Sequence, residues 1–478
     1  MGAASWSPLH GVNSTGADAT SAPGPKLRIL LLCWQAARHT GTVAEHVGSF
    51  EKYSRHDVVV FDSQVSSELD LDLELFDVIV LHYSLVISMP VYLPPAFFQN
   101  LGRTRALKVL FIQDEYRWVD RIADAIRSLG IDVVFTVVNK DAAPKIYRHP
   151  WLQKVRFEFT LTGFVPEALI HRKVPPYARR PIDISYRARK LPAWCGSSGL
   201  QKWRIGERVK SDASRFGLKV DIASAEASRI YGEAWVAFVA NSKAVLGTES
   251  GSSFIDYTGG VHEAIAQYEQ AHPAATFEEI RDRFLEGRDG QTAIRVISPR
   301  CFEAAALRTL MIMYPGEYSG ALEAGRHYVP LLPDHSNMAE VVAALRDPER
   351  AGAIIDNAYR EVACSPRWSF KEFIRHFDRV VAESVGTLRR DDSQFANAEA
   401  ISAHLTGLRT AHDRRVIWQL RRHRLILLLQ TLRQHTRGAV KLLPAPLAKP
   451  LLALGRAVEG RIHHWLRRML LPESHQAR

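Results

Sequence analysis

From Lys26 onwards the apolar residues come in short, unbroken runs separated by segments of mixed character. The runs Leu27–Cys33, Asp57–Asp62, Asp77–His82, Lys108–Gln113, Val133–Val138 and Val155–Phe159 lack the strict alternation of a strand with one wet face. Continuous runs of this length are how strands buried on both faces of a parallel sheet read. Between them, Val43–Lys52 and Val119–Leu129 carry apolar residues at helical spacing. This β-α-β alternation predicts a doubly wound α/β module over 26–173, with ligand-binding loops at the strand C-termini.

The stretch Val174-Pro-Pro-Tyr-Ala-Arg-Arg-Pro181 breaks the pattern and reads as a linker, 174–181. The alternation then restarts. Strands are expected at Asp183–Tyr186, Leu218–Ile222, Ala244–Gly247 and Leu310–Tyr314. Helices are expected at Trp203–Phe216, Ser228–Val239, Val261–Gln270, Thr276–Leu285, from Arg300, and across Met338–Leu345, Ala351–Val362 and Trp368–Val385. The expected fold is therefore α/β, with two Rossmann-like doubly wound domains (26–173 and 182–386) facing a cleft suited to a bipartite ligand. A second linker, 387–407, and a basic amphipathic helical tail, 408–478, follow. Residues 1–25, rich in Gly, Ser, Ala and Pro, read as a disordered leader without the parts of a signal peptide.

Charge changes this picture in one place. The chain of 478 residues carries a net +11, but 408–478 holds 15 Lys/Arg against 3 Asp/Glu, and the rest is close to neutral. A uniformly basic nucleic-acid binder is disfavoured, and no nucleic-acid partner is expected. The tail alternates basic clusters such as Arg421-Arg422-His-Arg424 with apolar stretches and ends near Trp465, which suits an anionic membrane surface. No run approaches the ~18 apolar residues of a membrane span. Cys33, Cys195, Cys301 and Cys364 are scattered without a C-x-x-C pair, so neither a zinc ribbon nor a disulfide framework is suggested, and a reducing, cytoplasmic setting is expected.

Three clusters carry candidate chemistry. In Ile297-Ser-Pro-Arg-Cys-Phe-Glu303, Ser298 is a good N-cap and Pro299 suits a first helical turn, so free backbone donors and a positive dipole end are offered to phosphate near Arg300 and Glu303. In Leu246-Gly-Thr-Glu-Ser-Gly-Ser-Ser-Phe-Ile-Asp256, the hydroxyls of Ser250 and Ser252 can bind sugar or phosphate oxygens, Gly251 permits close approach, and Glu249 can accept a sugar hydroxyl. Basic residues Arg187, Arg189, Lys190 and Lys202 follow the first strand of the second module. In the first module, His39, His82 and Asp114 lie at strand C-termini, where a general base would face an acceptor. Asp70-Leu-Asp72 imitates a metal-binding D-x-D motif, but its charged connecting context argues against metal binding, and no metal site is expected.

A helix opening Ser-Pro-Arg-x-Phe-Glu-Ala, then small residues, a buried strand, and Tyr314-Pro-Gly-Glu317 resembles the C-terminal domain of the group 1 glycosyltransferases of GT-B fold, closest to the spore-maturation-like bacterial enzymes. The resemblance spans about Ile182 to Val385. It implies transfer of a sugar from a nucleotide-activated donor, without an obligatory metal or other cofactor and with retention at the anomeric carbon. It further implies that Glu303 holds the ribose hydroxyls, that Arg189 and Lys202 hold the diphosphate, and that Ser250, Gly251, Ser252, Ser298, Arg300 and Glu317 complete the donor site. His39, His82, Asp114 and Glu249 are the catalytic candidates. Arg295 stands where many relatives carry a second glutamate, eight positions before Glu303. A glycan, lipid-linked or other envelope acceptor at the inner membrane face, and a role in polysaccharide biosynthesis, follow as expectations. A GT-B-like nucleotide-sugar epimerase or hydrolase and a non-catalytic scaffold are the alternatives.

Overall fold

The computed structural model describes residues 26–34, 37, 40–62 and 72–385, together with isolated positions between 406 and 421. Two parallel sheets organise 26–385. The first has strands β1 (Arg28–Cys33), β2 (Asp57–Asp62), β3 (Val78–Leu81), β4 (Leu107–Ile112), β5 (Val133–Thr136) and β6 (Arg156–Phe159) in the order 2-1-3-4-5-6. The second has β7 (Ile182–Arg187), β8 (Val220–Ala223), β9 (Ser242–Gly247), β12 (Leu310–Met313) and β13 (Val329–Pro330). Its order, 8-7-9-12-13, repeats the 2-1-3-4-5 order of the first. All pairings within both sheets are parallel. Each sheet therefore has a switch point, beside β1 and β7, where chain direction opens a crevice at the strand ends.

The continuous apolar runs are buried as their composition demands: Ile29 to Cys33 and Val78 to Leu81 are fully enclosed. Helices α1 (Gly41–Tyr53), α2 (Pro95–Arg103) and α3 (Val119–Leu129) accompany the first sheet. The second module contributes α4 (Gly196–Asp212), α5 (Gly232–Ala240), α6 (Gly260–Ala271), α7 (Pro299–Ala306), α8 (Met338–Arg346) and α9 (Pro348–Ala358). A last helix, α10 (Phe370–Val385), follows the second module in sequence but packs on the first. Its Phe373 and Phe377 rings meet Phe50 and Phe111, and Asp378 accepts from Ser54 Oγ at 2.8 Å and Arg55 N at 2.9 Å.

Two elements differ from the sequence expectation. The α4 helix starts at Gly196 rather than near Trp203, although Gly-Ser-Ser-Gly is a poor helix opening by propensity. Asp289 compensates: its carboxylate accepts from Ser197 N, from Ser197 Oγ and from Ser253 Oγ, placing a negative charge at the helix N-terminus. The Gly247–Asp256 segment is not a simple loop. Its β10 (Ser250–Ser252) pairs antiparallel with β11 (Ile294–Val296), a two-stranded sheet whose hydroxyl and glycine composition gives no strand periodicity. The linker is anchored as well, since Arg180 is buried and donates to the Ser242 carbonyl and Thr309 Oγ1, both at 2.9 Å.

The modules meet through main chain. Asp256 N donates to the Tyr116 carbonyl at 2.8 Å and Asp120 N to the Tyr257 carbonyl at 3.0 Å. Trp118, with a left-handed φ of 52°, lies against Gly259, where a Cβ would stand 2.0 Å from the indole. The described positions of the separate C-terminal unit, among them Thr406, Thr410, Ile417 and Arg421, are helical. The rest of the 408–478 tail, the 1–25 leader and most of the 387–407 linker lie outside the described residues. No described helix is long and apolar enough to cross a membrane.

Candidate functional site

The crevices of the two sheets open onto one cavity of about 660 Å³ between the modules, within the range of ordinary ligand sites. The first module lines it with Thr40, Gly41 and Thr42 at the start of α1, and with Glu45 one turn on. The second lines it with the segment after β7 (Arg187–Leu191), the segment after β8 (Ala223–Tyr231), α5, and the opening of α7.

One end of this cavity is cationic. Lys202, on α4, is enclosed, and its Nζ donates to Ser250 Oγ at 2.9 Å. Burial, and secondly the charge of Arg300, push its ammonium down to about 8. The physical reason lies beneath it: a small cavity of about 30 Å³, lined by Tyr186, Phe238, Leu246, Met311 and Met313, walls the lysine with apolar groups. Among the described residues no carboxylate pairs with Lys202. Arg189 is exposed into the same cavity, and Arg300 lies with its guanidinium 5.0 Å from the Trp235 ring centroid while donating to the Arg187 carbonyl. Arg187 itself is committed elsewhere, to Asp221 at 2.7 Å and the Ser228 carbonyl at 3.1 Å.

Opposite these cations stands a carboxylate. Glu303, in the second turn of α7, accepts from Trp235 Nε1 at 2.7 Å through Oε2. Burial pushes its carboxyl up, against the pull of the indole N–H and Arg300. Across the cleft, Glu45 is open to the cavity yet walled by protein on both sides, and its carboxyl rises to about 7 through burial and then through the charge of Glu303. The far end is bounded by Tyr231, 40% exposed, and by the ion pair of Arg172 and Glu233 at 2.6 Å. Cations, a helix N-terminus and an acceptor carboxylate around one cavity can hold a polyanion joined to a hydroxylated group.

The residues expected from the sequence divide accordingly. Arg189, Lys202, Ser298, Arg300 and Glu303 are brought together, and Ser250 joins them through Lys202. Gly251 serves the β10–β11 pairing: its φ is 117°, and a Cβ would stand 2.0 Å from the Ile294 carbonyl oxygen. Ser252 is buried, with its hydroxyl 2.6 Å from the Phe254 carbonyl and 3.0 Å from that of Cys195. Glu249 fastens the Pro-Gly-Glu turn, its Oε1 accepting from Glu317 N at 3.2 Å and Tyr318 N at 3.0 Å. Neither Glu249 nor the exposed Glu317 lines the cavity.

His82 has no exposed surface; its Nε2 lies 3.1 Å from His46 Nδ1 inside the first module's core. Asp114 is exposed beside Gln113, Arg117 and Trp118 in a separate recess at the ends of β3 and β4, and accepts from Tyr116 OH at 2.8 Å. His39 and Asp70 lie outside the described residues. Asp72 caps a short turn by accepting from Glu74 N at 3.0 Å. Among the described residues no group of three or more His, Cys, Asp or Glu side chains is placed to hold a metal ion. Sequence reasoning missed Trp235 and Glu45, whose roles arise only when α5 and α1 are brought against α7.

Neither a family model nor a curated protein matches the sequence. Among solved structures the chain is similar to an alpha-glucosyltransferase in complex with UDP and a 13-mer DNA containing a HMU base, at 9% identity over 75% of this chain and 100% of that one, with a TM-score of 0.47. It is also similar to Anabaena Alr3699/HepE in complex with UDP-glucose, at 13% identity over 76% and 100%, TM-score 0.41. A third similarity is to TarM, at 12% identity over 64% and 54%, TM-score 0.37. The fold itself rests on the sheets described above: two Rossmann-like modules of repeated strand order facing a shared cleft.

Proposed function

We propose that this protein is a glycosyltransferase that takes a nucleotide-activated sugar, with the donor held by the second module and the acceptor approaching from the first. The observation that carries this reading is the convergence of Arg189, Lys202, Arg300 and the α7 N-terminus with Glu303 around one intermodule cavity. The cations receive the diphosphate and stabilise the charge that grows on it as the sugar–phosphate bond breaks, with Lys202 in an apolar enclosure where its charge acts strongly. Glu303 accepts a hydrogen bond from a ribose hydroxyl. Because fixed cations do this work, the reaction runs without an obligatory metal and, by the resemblance of the Ser298–Glu303 segment, with retention. Asp114 lies on the acceptor side, and the basic tail brings the enzyme to anionic membrane where lipid-linked or envelope glycans are substrates.

Titration of UDP, GDP, ADP and CDP by calorimetry is the test, and failure of all four to bind overturns the reading. Glu303→Gln is expected to weaken the preferred nucleotide about ten- to a hundred-fold, the range of a charge-assisted hydrogen bond, with the thermal midpoint unchanged. A second reading is favoured by one observation. Arg295 is exposed on β11 opposite Gly251, and its charge acts on Glu249, where the resembling family carries a carboxylate. A changed sugar contact there suits an epimerase or hydrolase, and isomerised or hydrolysed sugar from donor alone would favour it. Nucleotide binding without turnover on any donor would favour a scaffold.

A further inference from the structure

We propose that Trp235 is a positioning residue for the donor site, whose indole N–H fixes Glu303 through one carboxylate oxygen and leaves the other turned to the cavity as a charged acceptor. The inference rests on the reading of Glu303 as the ribose-binding group. Trp235 lies in the first turn of α5 and lines the main cavity and the smaller apolar one beneath it. Its Nε1 stands 2.7 Å from Glu303 Oε2. Arg300 covers the face of the same indole with its guanidinium at 5.0 Å, so the ring is held from above by a cation and from the edge by a carboxylate.

Glu303 needs this support because its surroundings oppose its charge. Burial disfavours the carboxylate, and Glu45 of α1 presents a second negative group across the cleft. The other charged or titratable groups near it are Arg300 and Cys301 on α7, and Lys202 on α4. Arg172, on the segment before the linker, is already paired with Glu233. Cys301 is enclosed, and burial pushes its thiol up to about 12, so it stays neutral. The indole N–H is thus a neutral donor that favours the ionised carboxylate without adding a charge that would compete for the diphosphate. Committing Oε2 also fixes the rotamer, so that Oε1 alone meets the ligand.

The test uses the full chain, UDP and inorganic pyrophosphate. Trp235→Phe keeps the ring and the Arg300 contact but removes the donor. Relative to wild type, its UDP affinity is expected to be about tenfold weaker at pH 6.5 and to recover toward wild type by pH 8.5, because the unsupported carboxyl takes up a proton as pH falls. Taking the ratio to wild type at each pH cancels the titrations of Lys202, Glu45 and the UDP phosphate. Pyrophosphate, which has no ribose, should show no such change. A ratio independent of pH, or the same change with pyrophosphate, overturns the proposal. A second comparison needs no altered tryptophan: Glu303→Gln should weaken UDP by the same factor across pH 6.5 to 8.5, since Trp235 keeps Glu303 ionised throughout. A factor that grows with pH would overturn the proposal. Wild-type protein that binds pyrophosphate and no nucleotide would instead overturn the ribose reading beneath it.

Discussion

His46 and His82 are buried side by side in the first module, and replacing His46 by Phe should change how acid affects stability. The His46 ring has no exposed surface and lies among Phe50, Phe111 and Phe373 at centroid distances of 5.6, 5.4 and 4.9 Å. Its Nδ1 meets His82 Nε2 at 3.1 Å, while its own Nε2 is buried without a partner. Burial pushes the imidazole from 6.5 down to about 3, so it is neutral in the native protein and protonates in the unfolded chain below about pH 6.5. Stability from this group is therefore fully present above pH 6.5 and is lost as pH falls toward 3. At pH 5 the loss is about 2 kcal/mol, from the ratio of proton uptake by the two states.

The wild-type protein should hide this loss. Glu115 is buried, and burial pushes its carboxyl from 4.5 up to about 7, so the native state takes up its proton first and gains stability as pH falls from 7 toward 4.5. That gain is also about 2 kcal/mol at pH 5 and opposes the histidine. The informative quantity is thus the difference between His46→Phe and wild type, read as urea midpoints at pH 7.5 and pH 5. At pH 7.5 the variant leaves His82 Nε2 without its partner, which costs about 1–3 kcal/mol. On moving to pH 5 the variant should gain about 2 kcal/mol relative to wild type. A difference that is the same at both pH values would show that His46 is not held neutral by burial, and the reasoning would fail.

Lys202→Met should weaken UDP at least about tenfold and leave uridine binding unchanged, since the thioether fills the apolar enclosure but offers the diphosphate nothing; equal loss for uridine would place the lysine outside the phosphate site. Gly251→Ala should lower the thermal midpoint by several degrees, because its φ of 117° and the Ile294 carbonyl both exclude a Cβ, and an unchanged midpoint would mean the β10–β11 pairing is dispensable. Truncation after Gly407 should abolish sedimentation with anionic vesicles, while full-length protein should sediment and release with added salt; equal sedimentation of the two would refute a membrane role for the tail.

Much of the fold was legible because burial on both sheet faces leaves a direct trace in the sequence. Val119–Leu129 was placed to the residue by its helical period and its stop at Gly130, which takes a left-handed conformation. The α4 start was illegible because the group that stabilises it, Asp289, is 92 positions away. The candidate site shows the same division. Ser298, Arg300 and Glu303 were visible as a local unit on one helix opening, and they do line one cavity. Glu249 and Ser252 have the composition of ligand-binding residues, yet their oxygens bond to main chain of the Pro-Gly-Glu turn and of the loop itself. Spacing records which oxygens a segment owns; it does not record where the chain spends them. Trp235 left no local signal, since a tryptophan in a first helical turn becomes informative only when Glu303 is 2.7 Å away.

The return of α10 to the first module has a consequence for vectorial synthesis. The aromatic surface of Phe50, Phe111 and Phe135 is closed by Phe373 and Phe377, which leave the ribosome roughly 200 residues after the last strand of that module. At about 5–20 residues per second this is a delay of roughly 10 to 40 s, during which the first sheet has one face uncovered. The nascent chain therefore carries a hydrophobic platform for as long as the whole second module is being made. Chaperone occupancy during translation should rise once β6 emerges and fall only when Val385 clears the exit tunnel.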